Sequence, residues 1–326
     1  MSATRITRAA GLATAALVGA QVALGAATAR ADEALADLVE RVSPTVVTVM
    51  TTDKAEGQGM PGREGSPLRE FFERFAPEGM PDGRERMRRG LGSGFIYDAE
   101  GRVVTNNHVV DGAESVMVRL RDGREFEAEV LGTDPRTDLA VLDIEAEGEL
   151  PHVTLGDSDK VRVGEDVAAV GNPFGLGGTV TSGIISAAGR AIPGGTYLDF
   201  LQTDAAINRG NSGGPLFDMK GEVIGVNTSI FSPNGGSVGI GFAVPSNIVA
   251  RVVDELIEDG SVERGWLGVR IQPVTPEIGE AVGLDEARGA LVADLVGESP
   301  SAGKLRAGDV ILRFAGEAVE ESRDLP

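Results

Sequence analysis

Residues Arg209 to Asp218 read RGNSGGPLFD, a serine enclosed by glycines and closed off by a proline. Glycine, asparagine and proline are what any tight turn recruits, so the segment by itself allows a plain connection between two strands around Ser212. It also contains G-x-S-x-G as Gly210-Asn211-Ser212-Gly213-Gly214, the spacing of a nucleophile elbow between a strand and a helix. The third reading is a nucleophilic serine held in a turn of an otherwise β structure. Residues elsewhere in the chain separate the three.

A serine nucleophile needs a base for its proton and an acid to orient that base. The chain has two histidines, His108 and His152. His108 lies in VVTNNHVVDG at the end of a β-rich run, where it projects from a strand end or a short helical turn. His152 lies in LPHVTLGD with no polar constellation around it and reads as a surface or satisfied histidine. For the acid, DPRTDLAVLDI offers Asp134, Asp138 and Asp143. Asp134-Pro135 reads as a turn, and Asp143 lies beyond the apolar centre of the strand. Asp138 opens that strand, at the edge of buried surface, where a carboxylate can hold an imidazole in one tautomer.

Chain order then discriminates. An elbow fold places its histidine after the serine, and here none follows His152. A subtilisin-like order runs acid, base, serine on a βαβ scaffold that this sequence lacks. His108, Asp138, Ser212 is the order of the trypsin-like β proteins. The glycines around Ser212 allow a sharp turn in which the N–H groups of Gly210 and Ser212 can point at one oxygen, with Asn211 between them. In a trypsin-like pocket the floor lies six residues before the serine, which is Ala206. No acid waits there for a basic side chain, since Asp204 is two residues away.

Composition agrees with a β protein. Hydrophobic residues make up 41% and aromatics only 4%, so Val, Ile, Leu and Ala must build the core. The 46 glycines are about twice ordinary usage and imply many turns. A net charge of −20 argues against a nucleic-acid surface, which needs a basic face. With no cysteine and two histidines a zinc site is not expected, and no cofactor is expected either.

Along the chain, Arg5 and Arg8 precede an apolar stretch from Ala9 to Gly25, followed by Ala29 and Ala31 at A-x-A spacing. Residues 1–31 therefore read as a signal peptide cut after Ala31, the alternative being an uncleaved N-terminal anchor. DEALADLVERV puts Leu35, Leu38, Val39 and Val42 on one helical face, and TVVTVMTT (Thr45 to Thr52) reads as the first strand. Residues 53–90 are rich in Gly, Pro, Arg and Glu and read as a long loop. Its Phe71, Phe72 and Phe75 pack either on their own domain or on another subunit. After Gly90 short strand candidates recur at roughly 8–12-residue spacing without alternating helices, which favours antiparallel barrels or a sandwich. One helix stands out in PSNIVARVVDELIEDG, with Ser246 as N-cap, a stripe of Ile248, Val249, Val252, Val253, Leu256 and Ile257, and Gly260 as its stop. A smaller unit begins near Gly265.

Together, SGFI, VVTNNHVV, TDLAVL, VGNPFGLGGTVTSGIIS, LQTDAAINRGNSGGPL and GIGFAVPSN resemble the HtrA/DegP (Do-like) periplasmic serine endoproteases. The resemblance implies an all-β, trypsin-like double β-barrel protease domain over 32–258, with 53–90 as a long regulatory loop. A linker over 259–264 and a partial α+β PDZ domain over 265–326 would follow. It implies that His108 is the general base, Asp138 the orienting acid and Ser212 the nucleophile, with Gly210, Asn211 and Ser212 at the oxyanion hole. Ala206, Ile207 and Ile230 would form a small apolar pocket favouring Val, Ala or Ile before the scissile bond. GRAIPGGTYLDF and IFSPNGGSV resemble loops whose ordering completes such an oxyanion hole. RGWLGV, with Trp266, Leu267, Gly268 and Val269, resembles a PDZ carboxylate-binding loop, although Trp266 and Leu267 read equally well as core or interface residues. The partners so implied are unfolded proteins or peptides and other copies of the chain, as a trimer or multiples of trimers. No nucleic acid and at most a peripheral membrane association are expected. The implied activity is ATP-independent proteolysis in the periplasm with chaperone-like quality control. The alternative is a chaperone or peptide-binding scaffold in which cleavage is secondary.

Overall fold

The computed structural model describes residues 34–53, 88–172, 178–190, 198–208, 210–230 and 237–325. The leader, the three phenylalanines of the long loop, Arg209 and most of the two oxyanion-associated loops lie outside the described residues. The chain divides into a larger unit that ends at Ser261 and a smaller one that begins at Val262.

Helix α1, residues 34–42, buries Leu38 and Val42 and half-buries Leu35 and Val39, the face that their spacing dictates. A single 3-10 turn, Ser43–Thr45, follows it. The first strand, β1, therefore runs Val46–Asp53 and not from Thr45. It pairs antiparallel with β2, Arg88–Ile96, up to the pair Asp53 and Arg88. Residues 53 and 88–90, read from sequence as loop, are thus strand, and the connection itself spans 54–87.

Strands β3 (Arg102–Thr105), β4 (Ser115–Arg119), β5 (Glu125–Asp134) and β6 (Leu139–Ile144) join β1 and β2 in a closed barrel of order β1-β2-β3-β6-β5-β4. Its interior is aliphatic, with Val47, Val49, Ile96, Val103, Val116, Val118, Leu142 and Ile144 essentially inaccessible. Burial of each such side chain is worth about 1.5–3 kcal/mol, so branched aliphatics suffice where aromatics are scarce.

A second barrel is built from β8 (Asp166–Gly171), β9 (Thr179–Arg190), β10 (Phe200–Thr203), β11 (Pro215–Asp218), β12 (Glu222–Ile230) and β13 (Gly241–Pro245). The order β11-β8-β9-β10-β13-β12 is closed by pairing of β11 with β12, and the short β7 (Thr154–Leu155) adds in parallel to β12. The larger unit is thus the double six-stranded barrel that the resemblance implied, where the strand pattern alone left barrels or a sandwich open.

After the short helix α2 (Asn107–Val110) comes α3, Ser246–Asp259. The α3 stripe is buried at Val249, Val252, Val253 and Leu256. Gly260 ends it in the left-handed region at φ 70°, its N–H donating to the Leu256 carbonyl, a conformation that a side chain would oppose. Ser246 is not the N-cap. Pro245 holds that place, Ser246 Oγ donates to the Gly156 carbonyl at 2.6 Å, and Ser158 Oγ accepts the Asn247 N–H at 3.1 Å. An open N-terminus is thus capped from a distant segment.

The smaller unit contains β14 (Val269–Pro273), α4 (Pro276–Val282), β15 (Ala290–Leu295) and β16 (Val310–Ile311), the strands in one antiparallel sheet. Ala290, Val319 and Leu325 form its small core. Glu321 and Asp324 make a capping box around the 3-10 turn Ser322–Asp324.

Candidate active site

Asp138 sits immediately before β6 with φ 58°, a left-handed conformation unusual outside glycine. Such a conformation persists where surroundings over-determine it, and here they do. The Asp138 carbonyl accepts from Asn106 Nδ2 at 2.8 Å and from the Asn107 N–H at 3.1 Å, which ties it to the start of α2. Its carboxylate faces His108 twice: Oδ1 accepts the His108 backbone N–H at 3.0 Å, and Oδ2 lies 2.7 Å from His108 Nδ1. Thr228 Oγ1 donates to the same Oδ2 at 2.5 Å. Because an ionised carboxylate only accepts, Nδ1 carries the proton and the lone pair of neutral His108 is on Nε2. The His108 side chain is 47% exposed and that of Asp138 27%, so the ring is anchored on its inner edge and open on its outer one. Burial works against ionisation of Asp138, yet the hydrogen bonds from His108 and Thr228 outweigh it and hold the carboxyl below its ordinary value.

The other candidates for acid and base are placed elsewhere. Asp134 is buried and spends its carboxylate on the N–H groups of Arg136 and Thr137 and on Thr137 Oγ1, the self-closing turn that Asp-Pro suggests. Asp143 lies within β6 opposite Arg102. His152 Nδ1 is 3.2 Å from the Leu150 carbonyl.

Ser212 lies in a turn that leads into β11, stitched to both barrels. Ser93 of β2 donates its N–H to the Ser212 carbonyl at 2.9 Å, and Gly213 N–H donates to the Asn227 carbonyl at 2.8 Å. Asn227 N–H returns a bond to the Gly214 carbonyl at 2.9 Å. One strand, β12, therefore holds the serine turn through Asn227 and the acid through Thr228. Gly213 has φ 81°, and a Cβ there would strike the Ser93 carbonyl, Thr105 Oγ1 and the Asn106 nitrogen. The turn thus sits against the residues that lead into His108, an approach that only glycine permits. Within it, Asn211 N–H donates to the Asn208 carbonyl and Gly214 N–H to that of Asn211. Among the described residues, the N–H groups of Gly210 and Ser212 donate to no protein acceptor. The Asn211 amide, by contrast, is engaged within the turn.

Ala206 is half-buried and its carbonyl accepts from Thr181 Oγ1 at 2.9 Å. Ile207 is 2% exposed and Ile230 partly buried, both in the apolar cluster of the second barrel, so Ile207 acts as backing more than as open surface. Asp204 turns its carboxylate to the Ile184 N–H at 2.7 Å. In the smaller unit, Trp266 is 58% exposed, whereas Leu267 packs on the small core and its carbonyl accepts from Ser299 and Ser301 hydroxyls. Gly268 is left-handed at φ 66°, and Val269 opens β14.

Thr228 and the hydroxyl of Ser93 are the site residues that sequence reasoning did not single out. Ser93 stood only inside SGFI and Thr228 within a β-branched strand, with no local signal of either role. Among the described residues no group of three or more His, Asp or Glu side chains could hold a metal ion. No described helix is long and apolar enough to cross a membrane.

Residues 92–226 match the model of the trypsin-like peptidase domain. The chain is 52% identical over 318 residues to the "Probable periplasmic serine endoprotease DegP-like" of Brucella suis biovar 1, covering 89% of this chain and 62% of the relative. It is 51% identical over 314 residues to the protein of the same description from Pseudomonas putida strain GB-1, covering 92% and 65%. The chain thus spans somewhat under two thirds of the length of these relatives. Among solved structures it is similar to the HtrA-type protease AlgW with tripeptide, at 45% identity and a TM-score of 0.75, covering 89% of this chain and 85% of that one. It is also similar to the serine endoprotease from Yersinia pestis, at 34% identity and a TM-score of 0.63, covering 88% and 84%.

Proposed function

Because the chain belongs to the HtrA-type, trypsin-like serine proteases, we propose that it is an ATP-independent periplasmic endoprotease that degrades unfolded or misfolded proteins. The observation that carries this reading is the double grip of Asp138 on His108, through ring Nδ1 at 2.7 Å and backbone N–H at 3.0 Å. It presents Nε2 as a base on the solvent side.

In the proposed reaction Ser212 Oγ attacks the scissile carbonyl carbon and gives its proton to His108 Nε2. Asp138, held ionised, stabilises the resulting imidazolium without taking the proton itself. The carbonyl oxygen becomes an oxyanion facing the N–H groups of Gly210 and Ser212, which act where charge develops. Collapse breaks the C–N bond, the leaving amine takes the proton from His108, and an acyl-enzyme remains on Ser212. Water, deprotonated by His108, repeats the cycle and releases the acid. Ala206 as floor, with Ile207 and Ile230 as apolar backing, favours Val, Ala or Ile before the scissile bond.

The same reading assigns residues 1–31 to an export leader, 32–258 to the protease domain and 259–264 to a linker. Residues 265–326 become a partial PDZ unit, with Trp266 to Val269 in the place of its carboxylate-binding loop. It further assigns a trimeric assembly regulated through 53–90, and a chaperone activity beside proteolysis. Digestion of β-casein by the purified chain and by Ser212→Ala tests the core of it. The expected result is cleavage by the former alone, and equal behaviour of the two overturns the reading.

A further inference from the structure

Ser93 lies in β2 of the first barrel, 0% exposed. Its backbone is used on both sides: the N–H donates to the Ser212 carbonyl, and the carbonyl accepts from Thr105 Oγ1 at 2.7 Å. Its hydroxyl is used as well. Oγ accepts the Asn172 N–H at 2.7 Å and donates to the Gly210 carbonyl at 2.5 Å. The two hydroxyl bonds link residues 79 and 117 positions away. A buried hydroxyl offers one donor and limited acceptor capacity, and here both are spent on backbone groups of the second barrel.

The location of the donated bond matters. The Gly210 carbonyl belongs to the peptide between Gly210 and Asn211, which separates the two amides that face a developing oxyanion. With the Gly210 and Ser212 carbonyls both held from Ser93, this peptide has little freedom to rotate. Space is reserved for the contact: a Cβ on Gly171 would lie 3.0 Å from Ser93 Oγ, and one on Gly214 would lie 3.3 Å from Ser93 Cβ.

We infer that Ser93 is a positioning residue for the oxyanion turn, its hydroxyl locking the Gly210 carbonyl so that the Gly210 and Ser212 amides converge on one oxygen. It touches neither substrate nor reacting atoms. The inference rests on the protease reading above and adds to it a residue that acts only on the transition state.

Ser93→Ala removes the hydroxyl and both its bonds while leaving the main-chain bonds to Ser212 and Thr105. Loss of one oxyanion donor lowers kcat roughly 10²–10³-fold. A residue that only orients the donors is expected to cost about one order of magnitude less, in kcat and not in KM. A peptidyl boronic acid, whose tetrahedral adduct with Ser212 carries an oxygen in the oxyanion position, is expected to lose affinity by the same factor. A non-covalent product peptide is expected to bind unchanged. Ser93→Thr keeps the hydroxyl and is expected to recover most of the boronate affinity, whereas Ser93→Cys, of similar size but a weak donor, is expected to behave like the alanine variant. The last comparison decides the matter even if Ser93→Ala fails to fold. Wild-type kcat in Ser93→Ala or Ser93→Cys overturns the inference, as does a parallel loss of product-peptide affinity, which marks general structural damage. Failure of the protease reading itself looks different, because the unmodified chain would then neither cleave peptide nor form the boronate adduct.

Discussion

Thr228 donates its hydroxyl to Asp138 Oδ2 at 2.5 Å, and the neighbouring residue on the same strand, Asn227, accepts the N–H of Gly213 beside the candidate nucleophile. One segment of β12 thus sets the acid and the serine turn relative to each other. Thr228→Val keeps the shape and removes the donor. A hydrogen bond to a charged group contributes about 1.5–3 kcal/mol, so kcat/KM for a peptide substrate should fall by at least roughly tenfold. Steady-state kinetics with a circular dichroism check of folding will show it; an unchanged kcat/KM would mean that Asp138 is held without Thr228.

Asp138→Asn replaces an acceptor of the Nδ1 proton with a group that can donate, which disfavours the tautomer with a lone pair on Nε2. In a trypsin-like triad this exchange lowers kcat by about 10⁴ with geometry intact. The same order is expected here, with product-peptide binding retained.

Acid titration follows from the sign of the Asp138 shift. Its pKa is lowered in the folded chain, so the unfolded state binds the proton more readily. The stabilisation is complete above the unfolded value of about 3.9 and is lost as pH falls through the lower folded value. Urea midpoints measured down through this window should fall less steeply for Asp138→Asn than for the unmodified chain. Parallel curves would refute the shift.

Gly213→Ala tests the close approach of the turn. The substitution places a Cβ against the Ser93 carbonyl, Thr105 and Asn106, at a backbone φ of 81°. The left-handed conformation alone costs about 1–2 kcal/mol for a residue with a side chain, and the contacts add to it. A lower thermal midpoint together with loss of peptide cleavage is the expected result.

Much of the site was legible because its signals are local or ordinal. Gly, Asn and Pro around Ser212 announce a turn, a single credible base is left once His152 is set aside, and the order His108, Asp138, Ser212 excludes the elbow fold. The β-branched strands and the α3 stripe follow from periodicities that depend only on neighbours in the chain. Local reasoning failed where a partner came from far away. Ser246 looks like an N-cap by its position, yet its hydroxyl goes to Gly156 and the helix end is served by Ser158. The 53–90 stretch looks like loop by composition, yet Asp53 and Arg88 are the last rungs of a ladder.

The sequence by itself determined the kind of protein this is: aliphatic antiparallel strands, a serine in a glycine turn, and one candidate base and one candidate acid in the order that suits them. Only the tertiary structure decided which groups hold that chemistry in place. The Ser93 hydroxyl meets Gly210 across 117 positions and Thr228 meets Asp138 across 90. A buried hydroxyl is directed by whichever backbone group the closed barrels bring to it, and no pattern along the chain records that meeting.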